Sequence, residues 1–126
     1  MVKKKFTYFV SYSLLSISII IPTRPYLSTY LNRILDFQKR YETKQDLKNI
    51  KTLLIQYKKK SGSFPPEHRF VVWFKNHSEE KFRFKFPLDR WGNPIKYQII
   101  DKDKHCQLES AGKDGVFGNN DDIKIK

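Results

Sequence analysis

Apolar residues follow three successive patterns along the chain. From Phe6 to Ile21 the run FTYFVSYSLLSISIII carries no charge, with Lys3, Lys4 and Lys5 before it and Pro22, Arg24 and Pro25 after it. As a helix it would be about 24 Å long at about 1.5 Å per residue, under the ~30 Å hydrocarbon core of a bilayer. Snorkelling lysines and local thinning close that gap. The lysines put the N-terminus in the cytoplasm and the remainder outside. A cleaved secretory signal is the competing reading, but no A-x-A-like small-residue site precedes Pro22. Residues 1–25 are therefore expected to form a single-span anchor in the cytoplasmic (inner) membrane, and 26–126 an extracytoplasmic domain.

From Tyr26 to Lys60 the apolar positions fall three and four apart: Leu27, Tyr30, Leu31, Ile34, Leu35 and Tyr41, then Leu47, Ile50, Leu54 and Tyr57. This spacing predicts one long amphipathic stem helix, with a weak patch from Thr43 to Lys48 where the stripe lapses. Ser61-Gly62-Ser63 stops it, after lysines in the last turn where the helix dipole favours cations. Residues 61–126 change to strand-like stretches broken by turns. Phe70 to Phe74 suits a short helix or a strand. Lys81 to Phe86 alternates cations with phenylalanines at period two, and Ile95–Ile100 and Cys106–Glu109 are further strand candidates. Asp89 to Pro94 is a turn, and Trp91 within it is expected in the core. The pattern gives an α+β chain of anchor, stem helix and a small sheet.

Charge adds a question about partners. Lys and Arg number 25 against 13 Asp and Glu, a formal net charge of +12 in 126 residues. The cations are scattered, which describes a solvated surface more than a nucleic-acid footprint. Lys81–Phe86 offers the one interleaving of cations and aromatics that would suit single strands, but period two favours a strand with its phenylalanines in the core. A tethered module that holds an acidic partner or DNA is the alternative to a structural role. Cys106 is the sole cysteine, so no internal disulfide forms. No nucleophile–base set, metal-hydrolase spacing or phosphate-binding glycine loop is present, and His68, His77 and His105 stand apart as surface residues. Catalysis is not expected.

The strongest chemical feature is the stretch from Ser110 to Ile123. It holds Asp114, Asp121 and Asp122, two amides (Asn119 and Asn120), a hydroxyl (Ser110) and Gly112, Gly115 and Gly118. Hard oxygens on a glycine-rich turn suit Ca2+, although the spacing is not that of the helix–loop–helix calcium loop. An ordinary solvated acidic turn is the other reading. Three carboxylates clustered in a strongly basic chain favour the cation, because they repel one another without it.

Several of these residues together resemble the major pseudopilin of type II secretion systems. They are Phe64-Pro65 after a lysine-rich helix end, Asp89-x-Trp91-Gly92-Asn93-Pro94, Tyr97, and Ser110-x-Gly112-x-Asp114-Gly115 closing on Asp121-Asp122-Ile123. The resemblance runs from about Asp46 to Ile123. It implies a pilin-like fold, a long helix packed on a small antiparallel sheet, and assembly with like subunits and secretion-system proteins into a periplasmic pseudopilus that supports protein export. It also implies a calcium site on Asp114, Asp121 and Asp122, with Ser110 and the Ala111 and Val116 carbonyls as further ligands. Phe6-Thr7 matches the family's mature start, but Lys5 stands where that family has its cleavage glycine and Val10 where it has a glutamate. The anchor is accordingly expected to stay uncleaved.

Overall fold

A computed structural model describes residues 24–78 and 86–126. The expected span Phe6–Ile21 and the expected strand residues Lys81–Lys85 lie outside these. Among the described residues no helix is long and apolar enough to cross a membrane. The chain divides into two compact units, one ending at Leu35 and the other running Asp36–Lys126.

Helix α1, Arg24–Ser61, is 38 residues long. It begins with a proline in its first turn, where no N–H bond is lost, and has no further Pro or Gly until Gly62. Gly62 takes φ +86°, and its N–H bonds the Lys58 carbonyl at 2.8 Å, so the left-handed stop that glycine permits ends the helix. The lapse at Thr43–Lys48 does not interrupt it. Thr43 and Leu47 are wholly buried.

Leu47, Ile50 and Leu54 share one core with Phe64, with Phe70, Trp73 and Phe74 of the short helix α2 (Phe70–His77), and with residues of the sheet. Three antiparallel strands make that sheet in the order β1 (Lys96–Ile100), β2 (His105–Ser110), β3 (Ile123–Ile125). Tyr97 pairs with Leu108 and Ser110 with Ile123. Period two then turns Cys106, Leu108 and Ser110 to the buried side. Burial pushes the Tyr97 phenol far above its usual range. It stays a neutral donor, 3.0 Å from the Pro65 carbonyl.

Two expectations are corrected. Trp91 is only half-buried at the edge of the core, and the buried indole is Trp73. Phe86, expected on a strand with its ring inside, lies outside any strand and is 53 % exposed. It comes just before Pro87, which has no N–H to give a ladder.

The β1–β2 hairpin turns through Asp101, Lys102 and Asp103 at φ +55°, +52° and +69°, a left-handed run that L residues resist. Outside contacts hold it. The Asp103 carboxylate accepts the Phe64 N–H at 3.1 Å, and the Lys58 ammonium bonds the Asp103 and Lys104 carbonyls. Lys102 makes none of these contacts, so Lys102→Gly should stabilise the fold by about 0.5–1 kcal/mol. Chemical denaturation checks this, and an unchanged or lowered midpoint contradicts the strain.

Candidate functional site

Asp89 is fully buried. Its Oδ1 accepts the N–H groups of Trp91 at 3.0 Å and Asn93 at 2.8 Å, which folds residues 89–93 into a tight turn. Its Oδ2 accepts the Ser110 hydroxyl at 2.7 Å, and that hydroxyl in turn accepts the Gly112 N–H at 3.1 Å. The Asn93 side chain donates to the Gly112 carbonyl at 2.8 Å. One carboxylate thus joins the turn to the root of the C-terminal loop. Arg90 carries the turn onto α1. Its backbone N–H meets Thr43 Oγ1 at 3.1 Å, and its guanidinium grips Asp46 with two bonds of 2.7 and 3.1 Å. Glu42 lies 3.3 Å away. A fork on a carboxylate is the strong, orientation-fixing form of ion pair.

Beyond Ser110 the loop folds back on itself. Gly112 has φ +67°, and a Cβ there would lie 2.5 Å from both the main-chain oxygen and Oδ2 of Asp121. The bare backbone lets Asp121 Oδ2 accept the N–H groups of Lys113 at 2.8 Å and Asp114 at 3.3 Å. Asp114 spends one oxygen on the Val116 N–H and the other on the Asn119 amide, each at 2.8 Å. Asp122 Oδ2 accepts the Gly118 N–H at 2.8 Å, which with Lys124 holds this carboxyl below its ordinary range. Cations brace the outside: Arg40 donates to the Asp121 carbonyl at 2.9 Å and Lys113 pairs with Asp36. Glu109, almost buried, pairs with its cross-strand neighbour Lys124 at 2.8 Å, and this raises the Lys124 ammonium's pKa.

Asp114, Asp121 and Asp122 therefore occupy one loop, each directed at its own donors. Among the described residues no three His, Cys, Asp or Glu side chains converge as a metal would need. Ser110 belongs to the Asp89 brace. Ala111 is buried, and the Val116 carbonyl accepts the Asn119 amide at 3.0 Å. In favour of a cation, the donors are hard oxygens, and Asp122 Oδ1 is buried without a hydrogen-bond partner, which is costly for a charged group. The donor set thus fits calcium in kind, provided the ion replaces some of the loop's internal bonds.

The sequence profile of the type II secretion system (T2SS) protein G family matches residues 31–126. The chain belongs to this family. The type II secretion system core protein G of Klebsiella michiganensis is 35 % identical to it over 63 residues, 48 % of this chain. That match covers 39 % of the relative, so the chain spans well under half the relative's length. No solved structure matches.

In this member of the protein G family the Asp-x-Trp-Gly-Asn-Pro segment has a visible task. Aspartate closes the turn and ties down the loop, glycine supplies φ +94° at Gly92, and asparagine clasps the loop root. The sequence shows the segment as a turn but not its hub, because a carboxylate's partners lie far along the chain. Thr43, Asp46 and Glu109 were missed for the same reason.

Asp89→Ala strands two backbone donors and the Ser110 hydroxyl in the interior. It should destabilise by roughly 3–5 kcal/mol. Asp89→Asn should lose less than half as much, because its oxygen can keep the two N–H groups while its amide donates to Ser110 Oγ. Equal losses for the two, read from urea unfolding, would refute the hydrogen-bond account.

Proposed function

We propose that the chain is a membrane-anchored structural subunit or accessory of the type II secretion pseudopilus, supporting export by assembly with like subunits. The observation that carries this reading, in a chain of this family, is the apolar first part of α1. Leu27, Leu31, Ile34 and Leu35 recur on one helical face and are exposed, with Tyr26 and Tyr30 beside them. Such a stripe is unfavourable in water at roughly 25 cal/mol per Å2 and is relieved by burial against neighbouring subunits or lipid. The uncharged run from Phe6 to Ile21 supplies the span, with the N-terminus in the cytoplasm and Asp36–Lys126 outside. Full-length protein with a C-terminal tag should stay with bacterial inner membranes, expose the tag to protease in spheroplasts, and give a ladder of cross-linked multimers. Leu31→Asp with Leu35→Asp should keep membrane attachment and lose the ladder. A soluble protein, or a ladder indifferent to these changes, rejects the reading.

In this proposal the C-terminal loop binds one calcium ion. Asp114, Asp121 and Asp122 would hold it, and the ion would offset their mutual repulsion and the unpartnered Asp122 Oδ1. A ligand that binds only the folded state adds about 2.7 kcal/mol at a hundredfold excess over Kd. In a domain this small, where each kcal/mol shifts Tm by roughly 4–8 °C, removing the ion at that excess with a chelator should lower Tm by about 10–20 °C. Asp122→Asn should remove the chelator's effect, and Asp101→Asn should leave it intact. If calcium produces neither heat in calorimetry nor a shift in Tm, the loop is braced by its own amides and lysines alone.

A further inference from the structure

The inward face of α1 extends beyond the core. Asp36, Arg40, Thr43, Leu47, Ile50 and Leu54 recur four and three residues apart, which places them on one stripe of the helix. The last three are apolar and lie in the core. The first two are charged and precede Thr43, which is wholly buried, by about two turns and one turn. From Tyr26 to Tyr41 every residue of α1 is exposed except Asp36, which is half-buried. Asp36 meets the C-terminal loop through an ion pair with Lys113. Arg40, one turn on, donates to the Asp121 main-chain oxygen at 2.9 Å. Both contacts come from one closed piece of the loop, because Asp121 Oδ2 accepts the Lys113 N–H at 2.8 Å. The bond from Lys113 holds the Asp36 carboxyl below its ordinary range against the opposing effect of desolvation, and the Trp91 indole and Lys39 add to the lowering.

We propose that the C-terminal loop is a releasable strap on α1. When it is closed, the folded unit holds the helix from Asp36. When it is open, the first hold is the Arg90 grip on Glu42 and Asp46, and residues 36–41 depend on the helix's own hydrogen bonds. The chemistry of the stripe makes the strap releasable. Leucines at positions 36 and 40 would fix this stretch by burial, as Leu47, Ile50 and Leu54 fix the next one. The ion pair that stands there instead joins side chains 32 % and 64 % exposed, Asp36 and Lys113 respectively. A pair so exposed is held weakly and is screened by salt. Its opening leaves the core packed, since neither Asp36 nor Arg40 contributes to the buried cluster. The strap requires neither calcium in the loop nor assembly with like subunits, so it stands or falls independently of both.

The test is peptide-resolved hydrogen–deuterium exchange on the full-length protein in detergent. Lys113→Gln should speed exchange of the amides in 37–42 by roughly two- to fivefold, the opening expected when an exposed ion pair is lost. The amides of 47–57 should exchange as before, and Tm should stay within a few degrees of the wild-type value. Arg40→Gln should act on the same segment, and Lys113→Arg should keep the wild-type pattern. Salt at about 1 M should speed 37–42 in the wild type and do so less in Lys113→Gln, since charges are screened within about 3 Å there. Exchanging the charges, Asp36→Lys with Lys113→Asp, should restore protection that either change alone removes. Three results overturn the proposal: unchanged exchange at 37–42 in Lys113→Gln, an equal rise at 37–42 and 47–57, which would mark a loss across the whole fold, or no recovery in the exchanged pair.

Discussion

Asp89 sits out of contact with water with both carboxylate oxygens engaged. A buried carboxylate without such partners would be unfavourable by several kcal/mol, so the surrounding chain has to present its donors in fixed positions. The Trp91 and Asn93 amides do so only in a tight turn, and the Ser110 hydroxyl only if β2 ends beside that turn. Remove the requirement and the turn, the strand end and the loop root lose their common reference. The positions of Arg90 against α1 and of Gly112 against Asp121 both follow from it.

Helix α1 is one element with two kinds of surface. Up to Leu35 its aliphatic and aromatic side chains are exposed, while from Thr43 onward its inward positions are buried. The change occurs where the Asp89–Asn93 turn reaches the helix. There the contact is polar, through Thr43, Asp46 and Glu42 to Arg90. In the proposed assembly the first surface would be the one that neighbouring subunits or lipid cover.

The charge distribution of the folded unit has a consistent logic. Most of its carboxylates have particular tasks. Asp89 closes a turn, Asp103 caps a backbone amide, Glu109 pairs across the sheet, and the loop aspartates accept loop amides. Asp89 and Asp103 are thereby spent on backbone amides and a hydroxyl, whereas Glu109 and Asp122 share Lys124. With 25 Lys and Arg against 13 Asp and Glu, an excess of cations remains for the surface.

The sequence by itself determined the elements whose causes are local. Uninterrupted three- and four-residue spacing made α1, and Gly62 ended it, because helix propagation and termination depend on residues within a turn of each other. Alternation placed β1 and β2 within a residue of their ends, and the glycine-rich acidic stretch from Ser110 was recognisable as a loop. Only the tertiary structure decided what pairs at a distance. The apparent lapse at Thr43–Lys48 proved to be a docking surface, since a polar helix face can be buried when a turn supplies matching donors. Trp91 came to rest at the core's edge while Trp73 went inside, because both are equally apolar in sequence and only packing distinguishes them. Whether the loop aspartates face one another or their own amides was likewise settled by Gly112, whose missing side chain lets Asp121 close onto the backbone beside it.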